Sequence, residues 1–424
     1  MRTASISLLA FLATVGAALP AQAAFTRAPW INDAAIDTVT VAWEAATAGG
    51  TQQVQYGVGT ALDHTATGTL VSGSFYVAKI TGLTASTKYA YKVTSGADTA
   101  SATFVTAPDH AEPFRFVVYG DNRTDATAHA SVINAIVPTA PDFIVNTGDL
   151  SDTGNYNEFV SIENPLIKDT PLFAVPGNHD TSGAQWAYGF NRANPAWYSY
   201  KWANAYFIAL STDDSYAAGS AQLTWLEQQL QAAKADSSVQ WIFVYHHYPV
   251  YSSSTHGSTA DQQSTLVPLY KQYGVDIVFN GHDHDYERSE DSNIVYIVAG
   301  GGGAPLYPAG TGATGHVISD SVNSYVTIDL DGGKLDLKAW DTAGNKIDER
   351  TFDKGPATGG STPTPEPTGS GTPGGNPGNG NGDNGTVHGS AMCDVAGLDG
   401  SGLAGVVAAI GGGLSALALR RRRA

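Results

Sequence analysis

The stretch Asn280-Gly281-His282-Asp283-His284-Asp285-Tyr286-Glu287-Arg288 follows the apolar run Val275 to Phe279. That run reads as a buried strand, so His282 and His284 stand on a turn just past its end. On such a turn both rings can converge on one point or on two adjacent ones. Neutral imidazole is a common metal ligand. Taken alone, the pair reads more readily as two solvated loop histidines than as metal ligands. What decides between these readings is what the other strands deliver.

Working outward, residues 112–354 alternate strands with helical segments. Phe114 to Tyr119 ends at Gly120-Asp121-Asn122-Arg123, and Asp142 to Asn146 ends at Gly148-Asp149. Leu172 to Val175 ends at Gly177-Asn178-His179-Asp180, and Trp241 to Tyr245 runs into His246-His247. Ala205 to Leu210 is a further strand. Ala128 to Val137 and Ser220 to Ala235 read as helices, the second with Leu223, Leu226 and Leu230 at helical spacing. Near-continuous apolar strands imply a sheet covered on both faces. In an open α/β sheet, ligands bind at the carboxyl ends of the strands. Each polar cluster has a plain reading of its own: a Gly-Asp turn, an N-cap, a solvated His pair. Five strand ends in succession carrying ligand types favour a metal centre. Asp121, Asp149, Asn178, His247, His282 and His284 form an oxygen and nitrogen donor set suited to Zn, Mn or Fe.

The order Gly-Asp, Gly-Asp, Gly-Asn-His-Asp, His-x-Pro-x-Tyr (His247 to Tyr251) and Gly-His-x-His resembles that of the calcineurin-like metallophosphoesterases. In detail it resembles the purple acid phosphatase branch. The resemblance covers roughly Trp30 to Lys354. It implies an α/β catalytic domain, a four-layer αββα sandwich, over residues 112–354. It also implies two divalent or trivalent metal ions, Fe, Zn or Mn. Asp149 would bridge them, Asp121 and His284 would complete the first, and Asn178, His247 and His282 the second. A metal-bound hydroxide would attack a phosphate ester, the chemistry of an acid-phosphatase-like monoesterase. His179 would steer the phosphate or protonate the leaving group. Asp180 would orient His179, and His256 would be a second phosphate contact. His247 is preferred to His246 because only His247 begins His-x-Pro-x-Tyr.

Two positions depart from the family pattern. The wider family often has histidine where this chain has Arg123, and purple members have tyrosine where it has Asp152. The purple colour comes from tyrosinate on ferric iron, so this protein is expected to lack it. A guanidinium stays charged and offers no lone pair. Arg123 is therefore expected to grip the substrate phosphate with its bidentate fork.

Residues 24–108 read as short strands with turn signals: Thr38 to Trp43, Gln53 to Tyr56, Phe75 to Ile80, Lys88 to Val93 and Thr103 to Val105. This pattern suggests an all-β sandwich. Thr81 to Tyr89 has the form of a tyrosine corner. The region resembles a fibronectin type III or purple acid phosphatase N-terminal module. It shows no catalytic constellation, and His64 reads as a loop residue.

The termini carry addresses. Residues 1–23 read as a signal peptide, with Arg2, an apolar core and Ala21-Gln22-Ala23. Residues 355–389 are a Gly/Pro-rich tether. Residues 390–424 resemble a sorting tail, an apolar run of about 25 Å followed by arginines. The lone Cys393 excludes an internal disulfide. An exported protein, at the cell surface, in the periplasm or secreted, is expected, anchored through this tail. Acidic residues outnumber basic ones 39 to 22, which disfavours a nucleic-acid partner and leaves a small phosphorylated substrate. Two alternatives remain open at this point. One is a phosphodiesterase or nucleotidase of the same superfamily. The other is a surface-anchored binding protein that has lost catalysis.

Overall fold

The computed structural model describes residues 25–180 and 196–356. The expected signal peptide, the sorting tail and all but the first two residues of the tether lie outside the described residues. The described residues form part of one compact unit.

The fold is α/β, with an all-β region leading into two packed mixed sheets. In the first sheet, β9 (Phe114–Tyr119), β10 (Phe143–Asn146) and β11 (Leu172–Ala174) run parallel. β19 (Ser324–Asp331) flanks β9 antiparallel and leads outward to β20 (Lys334–Asp341) and β21 (Lys346–Asp353). In the second sheet, β13 (Ala205–Ala209), β14 (Trp241–Tyr245), β15 (Ile277–Asn280) and β17 (Ile294–Ala299) are parallel. β12 (Tyr198–Trp202), β16 (Tyr286–Asp291) and β18 (His316–Asp320) complete it.

The two sheets meet face to face through aromatic side chains. Phe116 and Phe143 stack at 5.1 Å from the first sheet, and Phe207 and Phe243 approach at 5.0 Å from the second. Phe116 meets Phe207, Phe243 and Phe279 edge-on across the interface. Edge-to-face contact suits the ring quadrupole, and truncating such a buried ring costs about 3–5 kcal/mol. Helices cover the outer faces. α1 (Ala126–Ile136) and α2 (Asn157–Ile167) bury Val132, Ile133, Phe159 and Val160 on the first sheet. α3 (Ala221–Ala235) and α4 (Ala260–Tyr273) bury Leu226, Leu230, Leu266 and Tyr270 on the second. The expected four αββα layers are thus present. Each helix start has a local cause where a cap is found: Asp125 accepts from Thr127 N and Ala128 N, and Ser220 accepts from Leu223 N.

The N-terminal region packs two sheets. One is β1 (Phe25–Asn32), β2 (Thr38–Ala45), β6 (Phe75–Thr81) and β5 (Thr69–Ser72). The other is β4 (His64–Thr67), β3 (Gln52–Val58), β7 (Lys88–Ser95) and β8 (Asp98–Val105). The tyrosine corner is present, since Thr84 N donates to Tyr89 Oη at 2.9 Å. His64 lies exposed on β4, stacked on Tyr56, rather than in a loop. β1 also pairs parallel with β11, at Asn32 opposite Leu172, so the sheet of the N-terminal region continues into the first catalytic sheet. Tyr91 Oη donates to Lys168 O, and Thr103 N to Asp169 Oδ1, reinforcing the joint. Among the described residues, no helix is long and apolar enough to cross a membrane.

Candidate metal centre

The parallel strands of both sheets point their carboxyl ends to one seam. β9, β10 and β11 deliver Asp121, Asp149 and Asn178 from one side; β14 and β15 deliver His247, His282 and His284 from the other. The chain must turn sharply as it leaves each strand. Asp121, Asp149 and His282 do so with φ of 60°, 57° and 71°, a region that non-glycine residues seldom occupy. Such strain is held only where surrounding structure fixes it. The glycines beside them are required for space. A Cβ at Gly177 would stand 2.2 Å from Asp149 Oδ1, and one at Gly281 2.4 Å from Asp121 Oδ2.

Asp121, Asp149 and His284 present ligand atoms that all lie within 4.8 Å of one another, and all three residues are buried. His284 Nε2 is 3.6 Å from Asp121 Oδ1. On the other side of Asp149, His247 Nε2 lies 3.3 Å from Asp149 Oδ1 and 3.1 Å from Asn178 Oδ1. The tautomers follow from the second nitrogens. His247 Nδ1 is 2.9 Å from Thr147 O, and His284 Nδ1 is 2.7 Å from Pro305 O. A carbonyl only accepts, so both Nδ1 atoms donate, and each Nε2 is the atom turned to the centre. The His282 ring packs against His256, with centroids 4.0 Å apart, and edge-on against Tyr248 at 4.5 Å.

The electrostatics call for positive charge. Burial, with Asp149 adding to it, pushes the Asp121 carboxyl well above the carboxylate range. Burial works against the Asp149 charge too, yet His247, the His179 N–H and Arg123 hold that carboxyl well below the range. Burial lowers His247, but Asp149 beside it brings the imidazole up to about 10. Burial and the His247 charge pull His282 down to about 3. Two buried carboxylates, an amide oxygen and outward Nε2 atoms are hard and borderline donors in the arrangement that divalent or trivalent cations take. The residues therefore fit a metal centre, and a cation there would compete with the proton on His247 Nε2.

The other expected site residues fall around this centre. His179 N donates to Asp149 Oδ1 at 3.0 Å, and its partly exposed ring places Nδ1 3.7 Å from Asp152 Oδ1. Asp180, expected behind the His179 ring, instead accepts from the backbone N–H groups of Gly177, Leu150 and Ser151. It ties the Asp149 turn to the Asn178 turn. His256 is exposed, with its N–H on Asp283 Oδ1 at 2.8 Å. His246 is fully buried away from the centre, with Nε2 3.3 Å from Tyr270 Oη, and burial lowers it to about 4. Tyr156 Oη donates to Asp180 O.

Arg123 turns inward rather than toward solvent. Its Nε donates to Asp149 Oδ2 at 2.9 Å and its Nη1 to Asp152 Oδ1 at 3.1 Å. Its Nη2 is 3.4 Å from His284 Nε2. Two further residues were not singled out from sequence. Tyr307 stacks on His284 with centroids 4.0 Å apart. Asp283 holds Ser252, His256 N and Gly257 N, locking the His256 loop to the His282 turn. Asp283 carries a signal in the sequence, because it lies between His282 and His284. Tyr307 carries none.

Comparison with known proteins agrees with this architecture. Residues 114–286 match the calcineurin-like phosphoesterase family, and residues 30–107 match the purple acid phosphatase N-terminal domain. The chain thus carries a calcineurin-like phosphoesterase domain behind a purple acid phosphatase N-terminal domain. A soybean (Glycine max) purple acid phosphatase is 28% identical over 62% of this chain and 61% of its own. The Fe(3+)-Zn(2+) purple acid phosphatase 12 of Arabidopsis thaliana is 42% identical over 26% of this chain and 24% of its own. This chain thus spans about three-fifths of the soybean relative's length. The purple acid phosphatase PPD1 from yellow lupin (Lupinus luteus) shares the fold, with a TM-score of 0.66 and 19% identity, covering 77% of this chain and 74% of its own.

Proposed function

We propose that the protein is an exported, metal-dependent phosphoric ester hydrolase acting on small phosphate monoesters. The observation that carries the reading is the convergence of Asp121, Asp149, Asn178, His247, His282 and His284 on one seam. By analogy with the family, Asp121 and His284 would hold a first cation, Asn178, His247 and His282 a second, and Asp149 both. Cations bound there would supply Lewis acidity, a lowered pKa for water and charge compensation for the phosphate. Iron, zinc and manganese all suit the donors.

The chain's own residues do the remainder. His179, fixed by its N–H on Asp149, gives a proton from its ring to the leaving alkoxide oxygen. His256, placed by Asp283 beside His282, binds a phosphate oxygen. Asp180 keeps two ligand turns in register through its three backbone partners. Tyr248 packs edge-on against His282 and Tyr307 stacks on His284, which steadies both rings. The sequence supports the organisation around this body: leader 1–23, β-sandwich 24–108, catalytic domain 112–354, tether 355–389 and surface-anchoring tail 390–424.

The experiment is hydrolysis of a chromogenic phosphate monoester by purified protein, before and after chelation. Activity lost with chelator and restored by Zn²⁺, Mn²⁺ or Fe³⁺ supports the reading. No turnover with any of them would leave the binding-protein alternative. Faster turnover of diesters or nucleotides in a parallel panel would favour the phosphodiesterase or nucleotidase alternative.

A further inference from the structure

Arg123 and Asp152 are the two positions at which this chain leaves the family pattern, and they are bonded to each other, Nη1 to Oδ1 at 3.1 Å. Thr124 Oγ1 supports the pair by donating to Asp152 Oδ2 at 2.9 Å. The same guanidinium covers two of the three donors of the first cluster. Its Nε–H occupies Asp149 Oδ2, and its Nη2 faces the lone pair on His284 Nε2. The Arg123 side chain is only 14% exposed, so this is an interior placement and not a surface ion pair.

From these contacts we infer that Arg123 is an internal cation that competes for the first metal position. The guanidinium and a metal ion at Asp121, Asp149 and His284 need the same lone pairs, and both are positive. A metal therefore enters the first position only by displacing Arg123. A place to go exists. A cavity of about 250 Å³ adjoins the side chain, lined by Arg123, Thr124, Ser151, Asp152 and Glu158 among others. Asp152 and Glu158 can receive the guanidinium there, and Asp152 already holds one of its nitrogens. Among the described residues no guanidinium reaches the second position, at Asn178, His247 and His282, where an entering metal displaces only the proton on His247 Nε2. The two positions thus differ in affinity, with the second filling first.

The inference rests on the metal-centre reading above, and its test separates the two. Full-length protein is stripped with chelator and titrated with Zn²⁺ by calorimetry, with bound metal counted after equilibrium dialysis. The wild type is expected to bind one equivalent tightly and another about 10- to 100-fold more weakly, the scale of the charge-assisted hydrogen bonds that must break. Arg123→Ala and Arg123→Gln are expected to tighten the weak equivalent by about the same factor and leave the tight one unchanged. Arg123→Lys, a cation without the fork, should fall between. Equal affinity for both equivalents, unmoved by either neutral variant, overturns the inference alone. No bound metal in the wild type overturns it together with the functional reading.

Discussion

The two halves of the centre share Asp149 yet are built differently. Among the described residues, the half at Asn178, His247 and His282 has no guanidinium on its Nε2 and amide oxygen, which lie 3.1 Å apart. The half at Asp121 and His284 contains a guanidinium held on both sides by carboxylates. The difference teaches that a site can hold its positive charge in a side chain of its own. Where the resemblance would place histidine and tyrosine, Arg123 and Asp152 stand, and the buried carboxylates take their compensation from a residue that cannot act as a ligand.

The strongest way to break this comparison is at the residue common to both halves. Asp149→Asn should remove tight binding of both cations and lower the hydrolysis rate by at least about 10³-fold, as read by metal analysis and steady-state kinetics. Near-normal rate with two bound metals would mean the halves do not share it. Next comes His179→Ala. A lost general acid should lower kcat by about 10²–10⁴-fold while metal content stays unchanged. Substrates with better leaving groups should suffer less. A change in metal content instead would make His179 a ligand. Asp283→Asn touches only the half that carries His256. It should raise KM several-fold and cost about 1–3 kcal/mol of stability, from hydrogen bonds to a buried carboxylate, measured by denaturant unfolding. An unchanged KM would remove His256 from substrate binding. The smallest effect is spectroscopic. With Asp152 in place of tyrosine, protein loaded with ferric iron should show no visible charge-transfer band. Tyr156 is no substitute, because its hydroxyl is spent on Asp180 O.

How much of this was legible depended on whether a residue's role was local. The strand ends were, because Gly-Asp and Gly-His pairs mark turns that must be tight and uncrowded. Asp121, Asp149 and His284 lie within 4.8 Å of one another, and His247 adjoins both Asp149 and Asn178. Tyr89 was also legible, since its bond to Thr84 spans five residues. α2 and α4 were hidden, because Pro165 and Pro268 sit inside them and proline removes a helix donor. Asp180 was misplaced because its partners, Leu150 and Ser151, lie 30 and 29 residues away. The direction of Arg123 was invisible for a similar reason. Its position in the sequence speaks for a phosphate ligand, whereas its position in space is decided by Asp152, 29 residues later.

The parallel bridge between β1 and β11 bears on how this molecule could be cut. β11 is three residues long and carries Gly177-Asn178 just beyond its end. Its one side is paired by β10, and its other meets β1. A fragment beginning at residue 112 would present that second side as bare N–H and C=O groups, a template for sticking to other chains. The N-terminal region is thus a cover for an adhesive edge, and the catalytic fragment should aggregate without it.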